Sequence, residues 1–255
     1  MGAPGFDDSP MKDVQTGDPK KITFVYPYYE NPLFLEYQVN AWKQYPDYLK
    51  ECISLVVADD GSPNKPASDV LGAMHPLPFK TRLFRIEVDV RWNWLAARNI
   101  GMNHADSGWC LLTDMDHVVS ASLAHKLVHG VFDQRVVYRL SRREHTGGRL
   151  HPHPNTMFMT RAQFWRIGGY DENLSGHYGT DGDWRRRIAA KGPVVLLPDE
   201  IIRYEYVNDS STTHYKRKQP EDAGKKDIIA RRTKGWIPKI LSFPYHEVPL
   251  CAPQS

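Results

Sequence analysis

The sequence predicts an α/β fold with a largely parallel sheet, and three observations support this. Short apolar runs of strand type alternate with stretches of helical spacing. Acidic residues collect just past the ends of two of those apolar runs, where ligands bind in open α/β sheets. The composition is that of a globular protein with one sizeable core: 255 residues, 41% hydrophobic and 25% charged. That balance excludes a chain disordered throughout, a collagen-like chain and a coiled coil.

The elements follow in order. Residues 1–20 are polar and rich in Gly, Pro and Asp, and are expected to form a flexible arm. Residues 22–26 read as a strand that stops at Pro27. Residues 33–48 place Leu33, Tyr37, Ala41 and Tyr45 at helical intervals. Residues 52–58 (CISLVVA) read as a buried strand, ended by the turn residues Asp59-Asp60-Gly61-Ser62-Pro63. A third strand is expected over 81–88, a helix over 95–104, and a fourth strand over 109–113 that runs into Asp114-Met115-Asp116. A later helix is expected over 183–190. No internal repeat or low-complexity tract is present.

No apolar run approaches the ~20 residues that a membrane span requires. The first twenty residues carry acids and no apolar segment of the secretory type. Cys52, Cys110 and Cys251 are far apart and odd in number, which argues against a disulfide framework or a zinc knuckle. A cytoplasmic protein is the expectation.

Three clusters carry chemistry. Asp114 and Asp116, two apart on an extended segment, project to one side and form a hard-oxygen pair suited to Mg²⁺ or Mn²⁺. A solvated turn is the plainer reading. Asp59 and Asp60, also at a strand end, suit hydrogen bonding to a base or to ribose hydroxyls, or form a simple turn. Gly168-Gly169-Tyr170-Asp171-Glu172 and Thr180-Asp181-Gly182-Asp183-Trp184 place acids after glycines, where backbone can approach a ligand closely. Asp183 also suits a helix N-cap.

These segments resemble, in order, those of the large family-2 group of inverting glycosyltransferases. The matching segments are Tyr26-Pro27-Tyr28-Tyr29, Ala58-Asp59-Asp60-Gly61-Ser62, Leu95-Ala96-Ala97-Arg98-Asn99-Ile100-Gly101, Asp114-Met115-Asp116 and Gly168-Gly169-Tyr170-Asp171-Glu172. The resemblance covers roughly residues 20–205. It implies a GT-A (Rossmann-like) single domain whose central mixed, mostly parallel sheet is flanked by helices. It also implies a UDP-sugar donor and Mn²⁺ or Mg²⁺. Asp116 would be the main metal ligand, and Asp114 would support the metal or the ribose. Asp60 with Asp59 would face base and ribose, and Pro27 with Tyr28 would line the nucleoside pocket. Arg98 would sit near the diphosphate, where a guanidinium fork suits phosphate oxygens.

By the same resemblance Asp181 is the base that deprotonates the acceptor, with Asp183 second, because Thr180 stands where the family usually has an acid. His214, placed after the core, is the candidate for a further metal ligand, although a lone His is more often simply exposed. His151 and His153 flank Pro152, a pattern that suits a metal site but reads first as a rigid loop. Trp92 and Trp94 suit either ring stacking or buried packing.

Other classes fit less well. A dehydrogenase needs Gly-x-Gly-x-x-Gly after a strand, and a P-loop enzyme needs Gly-Lys-Ser/Thr; neither is present. A nucleotidyltransferase places a basic Gly-rich loop where this chain has Tyr-Pro-Tyr-Tyr-Glu. A processive synthase carries membrane spans. A non-catalytic binding module would not need three intact acidic clusters. The domain limits expected are an arm over 1–20, a catalytic domain over 21–205, and a basic extension over 206–255 closing over the active site. Residues 201–240 hold ten Lys and Arg against five Asp and Glu, a seat for a polyanion. The short build is similar to bacteriophage glycosyltransferases, some of which modify hydroxymethylated bases in DNA. That makes DNA the favoured acceptor, ahead of a cell-envelope glycan or a lipid-linked acceptor.

Overall fold

The computed structural model describes residues 18–106, 108–177, 180–204 and 238–250. Strands β1 (Ile22–Tyr28), β2 (Ile53–Asp59), β3 (Lys80–Ile86) and β4 (Trp109–Leu112) form a parallel block in the order β3-β2-β1-β4. Helices α1 (Pro32–Lys43), α2 (Asp47–Cys52), α3 (Ala67–Ala73) and α4 (Trp94–Asn103) make the crossovers. β1 and β2 are covered on both faces, which is why they read as nearly unbroken apolar runs. Along β1 the faces alternate. Ile22, Phe24, Tyr26 and Tyr28 join one core cluster with Trp42 and Leu55, and Val25 joins another with Leu95 and Met102.

Pro27 does not end the first strand. The carbonyl of Val25 accepts from Thr113 N–H, so the polar groups of Val25, and of Pro27 two residues on, face β4. The β1–β4 ladder stops at the pair Val25–Leu112, so the N–H that proline lacks has no ladder bond to make. Pro46 does act as a break. The expected single helix over 33–48 is two helices, and Pro46 precedes the first residue of α2. Asn31 caps α1 by accepting from Phe34 N–H, and Pro32 takes the first helical position.

The rest of the sheet is mixed. It contains β5 (His117–Val118), β6 (Val137–Glu144), β7 (Arg149–Leu150), β8 (Met157–Thr160) and β9 (Val194–Arg203). β8 runs antiparallel to β4, and β6 antiparallel to β8; β9 is parallel to β6, and β5 antiparallel to β9. Helices α5 (Ala121–His129), α6 (Arg161–Ile167) and α7 (Asp181–Lys191) complete this half. The chain then returns: β10 (Tyr245–Val248) adds antiparallel to the outer edge of β3. The segment set apart beyond residue 205 thus contributes a strand to the sheet. Its partners are Arg82, which binds Glu247 through two bonds of 2.8 Å, and His104, stacked on Phe84 and 3.0 Å from the Tyr245 hydroxyl. No helix among the described residues is long and apolar enough to cross a membrane.

Gly101 sets how closely α4 lies on β1. A Cβ there would stand 2.4 Å from Val25 Cγ1. Gly101→Ala is therefore expected to destabilise the fold by about 1–3 kcal/mol, read as a lower urea midpoint with unchanged slope.

Candidate active site

Asp114 and Asp116 follow β4 at the rim where the parallel strands end, and their side chains are about one-third exposed, at 32% and 30%. Arg98 of α4 donates from Nη2 to Asp114 Oδ1 and from Nη1 to the Asn155 carbonyl at 2.6 Å. His153 Nε2 is 3.3 Å from Asp114 Oδ2. Asp116 Oδ1 is 2.6 Å from His117 Nδ1, and its Oδ2 is 3.5 Å from Arg203 Nε. Burial works against the charge of both carboxylates. Arg98 and His153 outweigh it at Asp114, whose carboxyl is held below its ordinary value, and His117 outweighs it at Asp116, held down to about 2. Both acids are therefore ionised at neutral pH.

Asp60 stands past the end of β2. Two strand spacings separate β2 from β4, about 10 Å, a span that a nucleoside and its phosphates can bridge. Asp60 is 5% exposed, and its Oδ1 has no hydrogen-bond partner among the described residues. Burial, with Asp59 and Asp89 alongside, pushes its carboxyl well above the ordinary range. A buried oxygen without a partner is costly unless a ligand supplies a donor. Pro27, opposite Ala58 in the register of β1 and β2, is half-exposed. Tyr29, also half-exposed, holds Asp89 with its hydroxyl at 3.1 Å.

Asp181 is the first residue of α7, half-exposed, and no hydrogen bond or ion pair engages it among the described residues. It lies near enough to Tyr170 to raise that phenol, whose ring in turn lies 5.8 Å from the Arg98 guanidinium. Asp183 is different. It is buried, and its Oδ2 accepts from Arg187 Nε at 3.0 Å while Arg187 Nη1 binds the Gly169 carbonyl at 2.6 Å. That pair ties α7 to the turn at Gly169. Thr180, not Asp183, occupies the N-cap.

Several expected ligand contacts are interior supports instead. Tyr28 is 1% exposed; it lies on the same face as Phe24 and Tyr26, and its hydroxyl donates to the Lys65 carbonyl at 2.6 Å. Asp59 is equally buried, and both oxygens are taken by backbone: Ser62 N–H and Ala67 N–H, each at 2.8 Å. It shapes the loop into α3 and does not face the rim. Arg98 is fully buried between Trp94 and Tyr170, where it orients Asp114. Trp94 packs, T-shaped, on Tyr170. His214 lies outside the described residues.

The Gly-Gly-Tyr-Asp-Glu segment holds the chain's own backbone. Glu172 Oε1 accepts from Asn99 Nδ2 and Leu241 N–H, and Oε2 from Ser242 N–H and Oγ, at 2.6–2.8 Å. Asp171 Oδ1 accepts from Lys239 N–H at 3.1 Å. Gly169, at φ +58, is required because a Cβ would meet Trp165 at 2.9 Å and Asn99 Oδ1 at 3.0 Å. Glu172→Gln turns one acceptor into a donor that faces donors. A loss of about 2–3 kcal/mol is expected in urea denaturation, with Glu172→Asp losing less.

Reading along the sequence missed His117, Arg142 and Arg203, and took His153 for part of a rigid loop. Arg142 Nη1 is 3.3 Å from His117 Nε2, and with Nδ1–H donated to Asp116 the three residues form a relay onto that carboxylate. Residues 151–153 run beside the site, held by Arg142 on the His151 carbonyl and Arg139 on the Pro152 carbonyl. The Arg-Arg pair inside β6 was the available signal, since charge in a covered strand demands a partner.

Residues 23–186 match the profile of Glycosyl transferase family 2. The chain belongs to that family. Its fold is similar to that of S. aureus TarS residues 1–349 in complex with UDP-GlcNAc, with TM-score 0.63 and 13% identity over 82% of this chain and 65% of that one. It is also similar to the mannosyltransferase PcManGT from Pyrobaculum calidifontis in complex with GDP-Man and Mn²⁺ (0.57, 15%, 89% and 69%). A third similar structure is GalNAc-T7 with UDP, GalNAc and Mn²⁺ (0.56, 13%, 84% and 48%). The chain thus spans just under two thirds of the TarS fragment. By sequence, no curated protein matches it. Glycosyl transferase family 2 is a family of enzymes, and the mixed sheet with its parallel block is the GT-A arrangement expected from the sequence.

A divalent cation fits the donor chemistry here. Asp114 and Asp116 offer hard oxygens open to solvent, and Asp116 Oδ2 is the least committed of the four. No group of three His, Cys, Asp or Glu side chains among the described residues is arranged to hold a metal alone. Substrate phosphates and water would have to complete the shell, as is usual for Mg²⁺.

Proposed function

We propose that the chain transfers a sugar from a nucleoside-diphosphate sugar, foremost a UDP-sugar, to an acceptor hydroxyl with inversion at the anomeric carbon. The observation that carries this reading is the open, ionised Asp114-x-Asp116 pair at the end of β4, two strands from the unpartnered buried oxygen of Asp60, in a family-2 chain. Asp60 accepts from the base or the ribose. Asp116, with Asp114 oriented by Arg98, holds Mn²⁺ or Mg²⁺. When bound, that cation neutralises the charge developing on the diphosphate leaving group. Asp181 takes the proton of the acceptor hydroxyl as its oxygen bonds to the anomeric carbon and the bond to the diphosphate breaks.

The acceptor we favour is a 5-hydroxymethylated pyrimidine in DNA, modified in the cytoplasm of a bacterium or a phage-infected cell, with a cell-envelope glycan second. The basic composition of residues 201–240 supports a polyanion. The division into an arm over 1–20, a catalytic domain from 21 and a basic extension from 206 belongs to the same reading. Nucleoside mass spectrometry tests it on hydroxymethylated DNA incubated with the protein, Mn²⁺ and a panel of nucleotide sugars. A sugar-mass increase on the modified base is expected. Donor hydrolysis without that increase would move the acceptor to glycans. Neither product would leave a binding module.

A further inference from the structure

β6 and β9 lie on the far side of β4 from Asp60 and bring basic charge to the rim that a nucleoside does not reach. β6 carries Arg139, Arg142 and Arg143, Arg149 follows in β7, and β9 ends on Arg203. The carboxylates set among them are Glu144, 2.9 Å from Arg203 Nη1, Asp116, 3.5 Å from Arg203 Nε, and Glu200, shared by Arg143 and Arg149 at 3.5 and 3.7 Å. Arg142 makes no ion pair among the described residues. Its Nε donates to the His151 carbonyl at 2.9 Å, its Nη1 to His117, and no described residue accepts from its Nη2. It is half-buried, and that burial, with Arg203 beside it, holds its pKa below the ordinary arginine value. Two guanidinia lie close in a partly desolvated wall with Asp116 and Glu144 nearby, and the Arg142 Nη2 that no described residue accepts from leaves one side of a fork open to an anion.

We propose that Arg142 and Arg203 form an anion subsite on the acceptor side, so that the acceptor carries a phosphodiester beside the hydroxyl that receives the sugar. This rests on the transfer reading above. The donor's own phosphates belong at Asp114 and Asp116, on the line from Asp60, whereas Arg142 is reached one residue beyond, behind His117. A guanidinium fork suits phosphate oxygens, and a chain of repeating phosphodiesters also matches the ten Lys and Arg of residues 201–240.

The test is a set of titrations on the full chain, with and without saturating UDP, by calorimetry at several salt concentrations. The probes are a single-stranded oligodeoxynucleotide, a glycerol-phosphate oligomer of similar length and a neutral glucan. The wild type is expected to bind a phosphodiester chain at least about tenfold tighter than the glucan. Arg142→Gln is expected to remove about tenfold of that and lower the salt slope by about one, and Arg142→Lys to retain part of it. UDP affinity should fall by clearly less than oligomer affinity in both variants, because Arg142 meets Asp116 only through His117. Preference for the oligonucleotide identifies DNA as the source of the phosphodiester, and the reverse order a polyol-phosphate glycan. Equal binding of charged and neutral chains by the wild type overturns the subsite. A fall in UDP affinity as large as the fall for the oligomers also overturns it, because Arg142 would then serve the donor. If the wild type fails to bind UDP, the transfer reading falls, and the titrations without UDP still decide the subsite.

Discussion

Replacing Asp116 with asparagine is expected to lower sugar transfer by about 10³-fold or more while leaving the fold intact. The carboxylate sits at the solvent-open rim, with one oxygen on His117 and the other loosely facing Arg203. The amide keeps the shape and can still meet His117, so circular dichroism should move little, and the melting temperature should fall only by what the charge gained from His117 and Arg203. What is lost is the charge that holds a divalent cation. Added EDTA should therefore abolish wild-type turnover but change the residual activity of Asp116→Asn hardly at all. Asp114→Asn should be less selective. It leaves the buried Arg98 guanidinium without its counter-charge, so stability and activity are expected to fall together.

The second large effect is expected at Asp181. Asp181→Asn should reduce kcat by about 10²–10⁴-fold and leave the donor's Kd unchanged, because the group acts on the acceptor proton. The neighbouring acid separates the two roles. Asp183→Asn breaks the ion pair that ties α7 to Gly169, so its main effect should be a lower melting temperature, with activity falling in proportion to the loss of folded protein. An inactive but stable Asp183→Asn beside an active Asp181→Asn would reverse the assignment. Calorimetric titration of UDP and steady-state kinetics on the two variants read both outcomes.

The parallel half of the fold was legible because burial on both faces leaves a simple trace. Residues 52–58 and 109–113 read as apolar runs, and the acids past their ends mark the rim. The mixed half was not legible in this way. Strand β6 reads Val-Tyr-Arg-Leu-Ser-Arg-Arg-Glu, and its arginines mask the alternation until Arg139 and Arg142 are seen on the carbonyls of residues 151–152. β10 is four residues that include a histidine and a glutamate, paired from 159 or more positions away in the chain, and nothing local announces it.

The sequence by itself determined the kind of fold, the order of its acidic clusters and which carboxylates could serve a nucleotide sugar, because residue type and strand ends are local properties. Only the tertiary structure decided which of those groups face the rim. Tyr28 and Asp59 are adjacent to the right residues in the chain, but the pleat turns them toward the helices, where backbone groups take their polar atoms. Arg98 is drawn inward because Gly101 lets α4 settle onto β1. Glu172 is consumed by a segment some seventy residues further on, whereas His153 and Arg203 arrive at the carboxylates from separate elements. A buried charge takes whatever partner the packing supplies, and that partner is set by three-dimensional proximity, not by spacing along the chain.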